Sequence, residues 1–231
     1  MSVLLRSYFS SMYPTHNITV GGLHAVPRQL LNAVCLRLYI EVMPPLEGHE
    51  DSPNLVFFKI DLSRPAGATI PFKSVRLGMI PDYPQLETDG YVPGALLTLS
   101  LGYELPGPRV CRAFAFTPLS RQLTLEHILR PIIENRLQHF EFDMRHTYAH
   151  GYRDFIYQAF SLLIDRGYFE RSLSYVWPED EPLIPGPPTI KNILGKQFDR
   201  DGRPRDEPIS KGYFRSYVRI NDGIPPYVCE R

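Results

Sequence analysis

The 231-residue chain lacks the short signatures of the common catalytic folds. It contains no GxSxG nucleophile elbow, no GxGxxG dinucleotide loop, no phosphate-binding loop with its lysine and no HExxH zinc motif. No clustered polar constellation is visible in their place. The sequence therefore favours a non-enzymatic protein, leaves the enzyme class uncertain and predicts no cofactor.

Cysteine is scarce, and the three residues Cys35, Cys111 and Cys229 are far apart, with no CxxC pair. This spacing does not support a zinc ribbon or a redox pair, and it favours a reducing compartment. The apolar run at the start is too short for a secretory leader, and no window approaches the roughly 18 apolar residues of a membrane-spanning helix. We therefore expect an intracellular protein, cytoplasmic or nuclear, without a signal peptide or transmembrane segment.

An excess of charge of either sign is also missing, because 25 Lys and Arg residues balance 25 Asp and Glu residues. Net charge therefore gives no general affinity for polyanions, although a local basic face can still exist. Proline, by contrast, is abundant: its 23 residues are about twice the ordinary usage. They are spread along the chain, which predicts many rigid turns.

Five segments alternate with the period of two that a strand requires. They lie at 34–42, 55–62, 72–80, 95–103 and 109–117. The first predicts a half-buried strand, and in the second Lys59 and Asp61 are expected to point towards water. Because no helix separates these segments, they predict an antiparallel sheet or sandwich-like layer of about five to seven strands.

The block from Thr124 to Tyr175 is helical in pattern. Thr124 can cap a first amphipathic helix, in which Pro131 should cause a kink or mark the true start. A second helix begins near Tyr152, and Gly167 is expected just after its end. The fold class predicted is α+β, with two amphipathic helices packed on the sheet.

The last part of the chain, 178–231, holds nine prolines and is predicted to be a strap that packs on the core and ends in a strand. The preceding residues 1–177 form the predicted β-rich core with the helical block 124–175. Together they are expected to make a single domain overall.

Alternating tyrosines and arginines mark a candidate nucleic-acid-binding surface in the strap. On a strand from Tyr213 to Ile220, one face would carry Tyr213, Arg215, Tyr217 and Arg219, with Lys211 just before them. Tyrosines stack on bases and arginines neutralise phosphates. The opening of this segment resembles that of the RNA-recognition-motif octapeptide, but Phe214 and Arg215 depart from it, so that family is not carried over. The alternative is an edge strand whose charges protect it from aggregation.

Two shorter patterns are candidate sites. His146 and His150 are four residues apart, the spacing of two metal ligands on one helical face; alternatively, Gly151 interrupts the helix and both histidines line a loop. Tyr83, Pro84 and Leu86 form a YPxL peptide, which resembles the adaptor-recruiting peptide of viral matrix and capsid proteins. The same residues can equally form a rigid turn.

The leading hypothesis is a non-enzymatic structural or partner-binding protein that acts through protein–protein contacts. A viral matrix or accessory-type protein would suit the compact chain. Self-association is included, because 14 tyrosines and 13 phenylalanines provide many aromatic side chains of the kind found in interface cores. The first alternative is an RNA- or nucleic-acid-binding protein that uses residues 213–219. The second is a metal-dependent hydrolase that uses His146 and His150.

Overall fold

A computed structural model describes residues 14–45, 48–49, 51–63, 72–82, 90–102, 106–107, 109–145, 148–178 and 189–217. Over these ranges the chain is an α+β structure, mostly antiparallel sheet with a few helices. The predicted class is therefore confirmed, but the main sheet has nine strands and is larger than expected.

The strands pair antiparallel throughout the described ranges. They are β1 (Thr15–Asn17), β2 (Val34–Met43), β3 (Leu55–Ser63), β4 (Ser74–Pro81), β5 (Tyr91–Leu101), β6 (Arg112–Phe116), β7 (Phe140–Asp143), β8 (Tyr175–Trp177), β9 (Lys196–Phe198), β10 (Pro204–Asp206) and β11 (Tyr213–Phe214). The main sheet has the order β11–β7–β5–β4–β3–β2–β6–β8, and β1 also pairs with β5. Strands β9 and β10 form a separate hairpin.

The helices described are α1 (Ile18–Gly21), α2 (Arg28–Leu31), α3 (Leu125–Glu134), α4 (Tyr152–Asp165) and α5 (Ile190–Leu194). A 3-10 turn follows α1 at Gly22–Ala25. Among the described residues, no helix is both long enough and apolar enough to cross a membrane.

Helix α4 packs its apolar side on one face of the main sheet. The ring centre of Phe160 lies 4.4 Å from that of Phe116 and 6.4 Å from that of Phe58. Nearer the sheet edge, Phe155 lies 5.8 Å from Phe140. All five rings are buried, so burial of apolar surface holds this helix on the sheet.

The ends of the two long helices follow the predicted signals. The Thr124 backbone N–H donates to His127 Nδ1 at 3.1 Å, and the His127 backbone N–H donates back to the Thr124 hydroxyl, so a histidine completes the capping box. Gly167 has a φ of 70° directly after α4. The Tyr168 N–H donates to the Leu163 carbonyl at 3.1 Å, which closes the helix as a Schellman motif.

The opposite face of the sheet carries a buried network of charges. Lys59 is fully buried and pairs with Asp61. On the neighbouring strands Arg76 Nη2 lies 2.7 Å from Glu41 Oε2, and the Gly107 N–H donates to the other Glu41 oxygen at 3.2 Å. The expectation that Lys59 and Asp61 point towards water, and that β2 is half-buried, was therefore wrong. Alternation shows which residues share a face but not what covers that face.

Burial changes the acid–base behaviour of this network. It lowers the pKa of Lys59, an effect that the Asp61 carboxylate partly offsets. The Lys59 ammonium also lies 4.7 Å from the centre of the Tyr39 ring, and burial raises the pKa of that tyrosine. Since a buried charge without a partner is strongly unfavourable, the loss of either partner of these pairs should destabilise the fold.

The helical block contains one strand that its pattern concealed, and a second strand begins at its last residue. Residues Phe140–Asp143 form β7 between β5 and β11, and Tyr175–Trp177 form the edge strand β8. The expectation of helix at 140–143 and at Tyr175 was wrong. In β7 the two phenylalanines point into the core and alternate with Glu141 and Asp143, a period of two within a block dominated by the helical period.

Residues 189–217 are joined to the core by buried side chains and specific hydrogen bonds. Ile193, Leu194 and Phe198 are each at most 1% exposed. The buried Asn54 amide donates to the Phe198 carbonyl at 2.8 Å and accepts from the Phe198 N–H at 2.7 Å. The division of the whole chain at residue 177 stays a prediction.

Candidate interaction site at the sheet edge

Strand β11 is much shorter than the predicted strand 213–220. It pairs with β7 only at Tyr213 and Phe214, and the chain bends at residues 215–216. One backbone hydrogen bond continues past the ladder, from the Arg215 N–H to the His139 carbonyl at 3.1 Å, before the chain bends away. Tyr217 therefore does not continue the face predicted for Tyr213 and Arg215. The Tyr217 ring instead contacts Phe214, with ring centres 5.2 Å apart, and Arg219 lies outside the described residues.

Tyr213 meets Tyr91 from a distant part of the chain, and Tyr91 in turn meets Arg145. The Tyr213 ring centre lies 6.1 Å from that of Tyr91 on β5, and the guanidinium of Arg145 lies 5.2 Å from the centre of the Tyr91 ring. Together with Arg215 these residues form a group that we call the Tyr–Arg cluster. It lies on the sheet face opposite α4, because Tyr213 pairs with Glu141 while Phe214 pairs with the core residue Phe140.

Both arginines of the cluster are held by carboxylates. Arg145 binds Asp143 through two contacts, Nε to Oδ1 at 3.0 Å and Nη2 to Oδ2 at 2.6 Å. Arg215 pairs through Nε and Nη2 with Glu141 Oε1. The carboxylate side chains are 11% and 2% exposed, whereas the arginine side chains are 60% and 46% exposed. Each arginine therefore has a fixed orientation and an exposed surface.

Sequence reasoning missed Tyr91 and Arg145 because neither lies near Tyr213 in the chain. Gly90 makes their contact feasible: it has a φ of 82°, and a Cβ atom there would lie 2.7 Å from Arg145 Cγ. The Met144 N–H also donates to the Gly90 carbonyl at 2.8 Å. The alternation Phe–Glu–Phe–Asp at 140–143 was the available signal, because it places both carboxylates on one face of a strand.

Lys211 lies apart from the cluster. It lines a cavity formed with α4, α5 and the β9–β10 hairpin. The next residue, Gly212, donates its N–H to Asp154 Oδ2 at 2.9 Å, which ties this segment to the first turn of α4. Four of the five residues predicted to bind nucleic acid are described, and of these four the structure brings Tyr213 and Arg215 together around Glu141.

His150 is not part of a helix. His150 forms an isolated bridge with Asp143, and α4 starts only after Gly151, whose φ is 125°. His146 lies outside the described residues, so the two-histidine metal site stays a prediction. Within the ranges that the structure covers, no group of three or more His, Cys, Asp or Glu side chains could hold a metal ion.

The YPxL residues Tyr83, Pro84 and Leu86 also lie outside the described ranges.

Comparison with known proteins gives no match to a protein-family model, a curated protein or a solved structure. A role for the Tyr–Arg cluster therefore has to be argued from its own side chains. Two planar cations and two tyrosines can make directional, non-covalent contacts, while the paired carboxylates cancel the arginine charge.

Proposed function

We propose that this chain is a non-enzymatic binding protein that acts through protein–protein contacts, with the Tyr–Arg cluster as its contact surface. The observation that carries the proposal is the meeting of Tyr91, Tyr213, Arg145 and Arg215 on one exposed sheet edge. Tyrosine and arginine are the residues most enriched at the energetic centres of protein interfaces.

The ion pairs favour a protein partner over a polyanion. Glu141 and Asp143 neutralise the two arginines, so the cluster adds no net positive charge to attract phosphates. The same pairs orient both guanidinium groups before a partner arrives. Less side-chain entropy is then lost on binding, which strengthens association.

The first test is analytical ultracentrifugation over a range of concentrations, followed by affinity enrichment and re-binding of any enriched protein in purified form. Tyr213→Ala should weaken the association at least about thirtyfold, the effect of losing an interface hot spot. Arg215→Lys keeps a positive charge beside Glu141 but loses the planar fork, so it should also weaken binding. Tyr168→Ala, a half-buried tyrosine beside His127, is the matched control and should have no effect.

Two results would contradict the proposal. If the protein sediments as a monomer at every concentration and no purified partner depends on Tyr213, the proposal fails. If instead a labelled oligouridylate binds at low salt and Arg215→Ala reduces the salt dependence, the nucleic-acid alternative replaces it.

A further inference from the structure

A cavity of about 460 Å³ lies on the other side of β11 from the Tyr–Arg cluster. Its walls come from α4, α5, the β9–β10 hairpin and the segment that leads into β11. We call it the lysine cleft, because Lys191, Lys196 and Lys211 line it from three separate segments. The volume is within the range of about 300–1,000 Å³ that is typical of small-molecule sites.

The charges of the lysine cleft favour an anionic ligand. Three lysines and two aspartates, Asp154 and Asp206, line the cleft, so the lining carries one more positive than negative side chain. Both carboxylates are engaged: Asp206 pairs with Lys196, and Asp154 is 2% exposed and accepts the Gly212 N–H. Each ammonium group offers three hydrogen-bond donors, and an oxyanion is the group that such donors bind best.

The walls are held in place by one buried arginine. Arg153 donates to the carbonyl oxygens of Lys196 at 3.0 Å and Leu194 at 3.2 Å, and it pairs with Glu207. Burial lowers the pKa of this guanidinium, and Glu207 offsets part of the effect. Because Arg153 joins α4 to α5, to β9 and to Glu207 just after β10, the segments that carry the lysines are held in place before a ligand arrives.

The remaining wall is apolar. The half-buried side chains of Tyr157 and Ile209, with Pro208 beside them, line the same cavity. A few convergent polar groups beside an apolar wall are the usual composition of a site for a small organic molecule. A bare inorganic ion would leave this wall without a contact.

We propose that the lysine cleft binds a small organic oxyanion, in which a carboxylate or phosphate meets the lysines and an apolar body lies against Tyr157 and Ile209. This site is separate from the Tyr–Arg cluster, and its ligand does not depend on a protein partner. Adenosine monophosphate and indole-3-acetate carry the two forms of oxyanion on flat bodies, and adenosine is the uncharged counterpart.

Isothermal titration calorimetry of the full chain with these three probes tests the proposal. At least one oxyanion should bind with one molecule per chain, more weakly as salt is added, while adenosine should not bind. The double variant Lys191→Gln/Lys211→Gln should weaken binding about tenfold or more, the effect of losing a charge-assisted hydrogen bond. Lys73→Gln, at an exposed lysine before β4, is the control and should bind as the wild type does.

The two oxyanion probes also distinguish a phosphate ligand from a carboxylate ligand. Binding of adenosine monophosphate alone assigns the cleft to phosphates, and binding of indole-3-acetate alone assigns it to carboxylates. The proposal is overturned if neither binds at low salt, if adenosine binds as tightly as its monophosphate, or if Lys73→Gln loses as much affinity as the double variant. Circular dichroism of each variant shows whether it is folded.

Discussion

Replacing Arg153 by methionine should lower the free energy of unfolding by about 3 kcal/mol. Removing one partner of a buried ion pair generally costs about 3–5 kcal/mol, because the other charge is left without compensation. The Arg153 side chain is 3% exposed, but that of Glu207 is 26% exposed, so water relieves part of the loss. The lower end of the range therefore applies. The carbonyl groups of Leu194 and Lys196 lose a donor at the same time.

Urea unfolding can be followed by the fluorescence of Trp177, since the chain has one tryptophan. Amide hydrogen exchange then locates the effect. In Arg153→Met, exchange should accelerate over residues 193–208, which the guanidinium ties to α4, while β2 to β4 keep their protection. Adding Glu207→Gln removes the carboxylate that has lost its buried partner and, among the described residues, keeps only the Arg205 contact at 3.9 Å, so it should restore part of the stability.

Arg166→Met is the matched control, because Arg166 is exposed at the end of the same helix. Its effect should stay within about 0.5 kcal/mol. A loss of less than about 1 kcal/mol in the free energy of unfolding of Arg153→Met, the scale of a single ordinary hydrogen bond, would contradict this prediction. Unchanged exchange rates over residues 193–208 would contradict it as well.

Three further predictions concern buried polar groups. Asn54→Asp should destabilise the fold by about 3 kcal/mol in urea unfolding, because two donors to the Met43 and Phe198 carbonyls are lost; a loss within error would contradict this. Burial raises the pKa of the Cys111 thiol from its ordinary 9.0 to about 12, so the unfolded thiol ionises first as pH rises. The Cys111 thiol should therefore lower stability by up to about 1.4 kcal/mol per pH unit between pH 9 and pH 12, and Cys111→Ala should show a shallower fall over that range. Lys59→Met should cost about 3 kcal/mol by removing the buried ammonium partner of the Asp61 carboxylate, and adding Asp61→Asn should recover part of it, whereas additive effects would argue against the pair.

Local patterns predicted the elements but not the layers of this fold. Strands near 34–43 and 55–63 and the helix after Thr124 follow from periodicity and capping, which act over a few residues. The burial of Lys59 and Asp61 does not follow, because their neighbours and the cover of that face come from elsewhere in the chain. Strand β7 was not predicted for the same reason, because it forms a strand through its pairing with β5 and β11.

The candidate site was predictable only in part. Tyr213 and Arg215 could be selected from composition alone, because alternating tyrosine and arginine is rare and chemically specific. Their partners Tyr91, Arg145 and Glu141 are brought to them by sheet register, which depends on long-range pairing. The lysine cleft was not predictable from the sequence, because it forms only when distant segments pack together. Lys191, Lys196 and Lys211 are spread over 21 consecutive residues, and the buried Arg153 of another helix positions the segments that carry them.

Gly212 connects the two proposed surfaces and gives a last prediction. A Cβ atom at this position would lie 2.0 Å from Phe140 Cζ and 2.8 Å from the Glu141 carbonyl oxygen, so only glycine allows this close approach to β7. Lys211 on one side lines the lysine cleft, and Tyr213 on the other side belongs to the Tyr–Arg cluster. Gly212→Ala should therefore cost about 1–3 kcal/mol of stability through overpacking. It should also weaken ligand binding at the cleft and partner binding at the cluster together. If calorimetry and sedimentation show that only one of the two changes, the segment does not couple them, and each surface must be positioned by its own contacts: the cleft by Arg153 and the cluster by the carboxylates of β7.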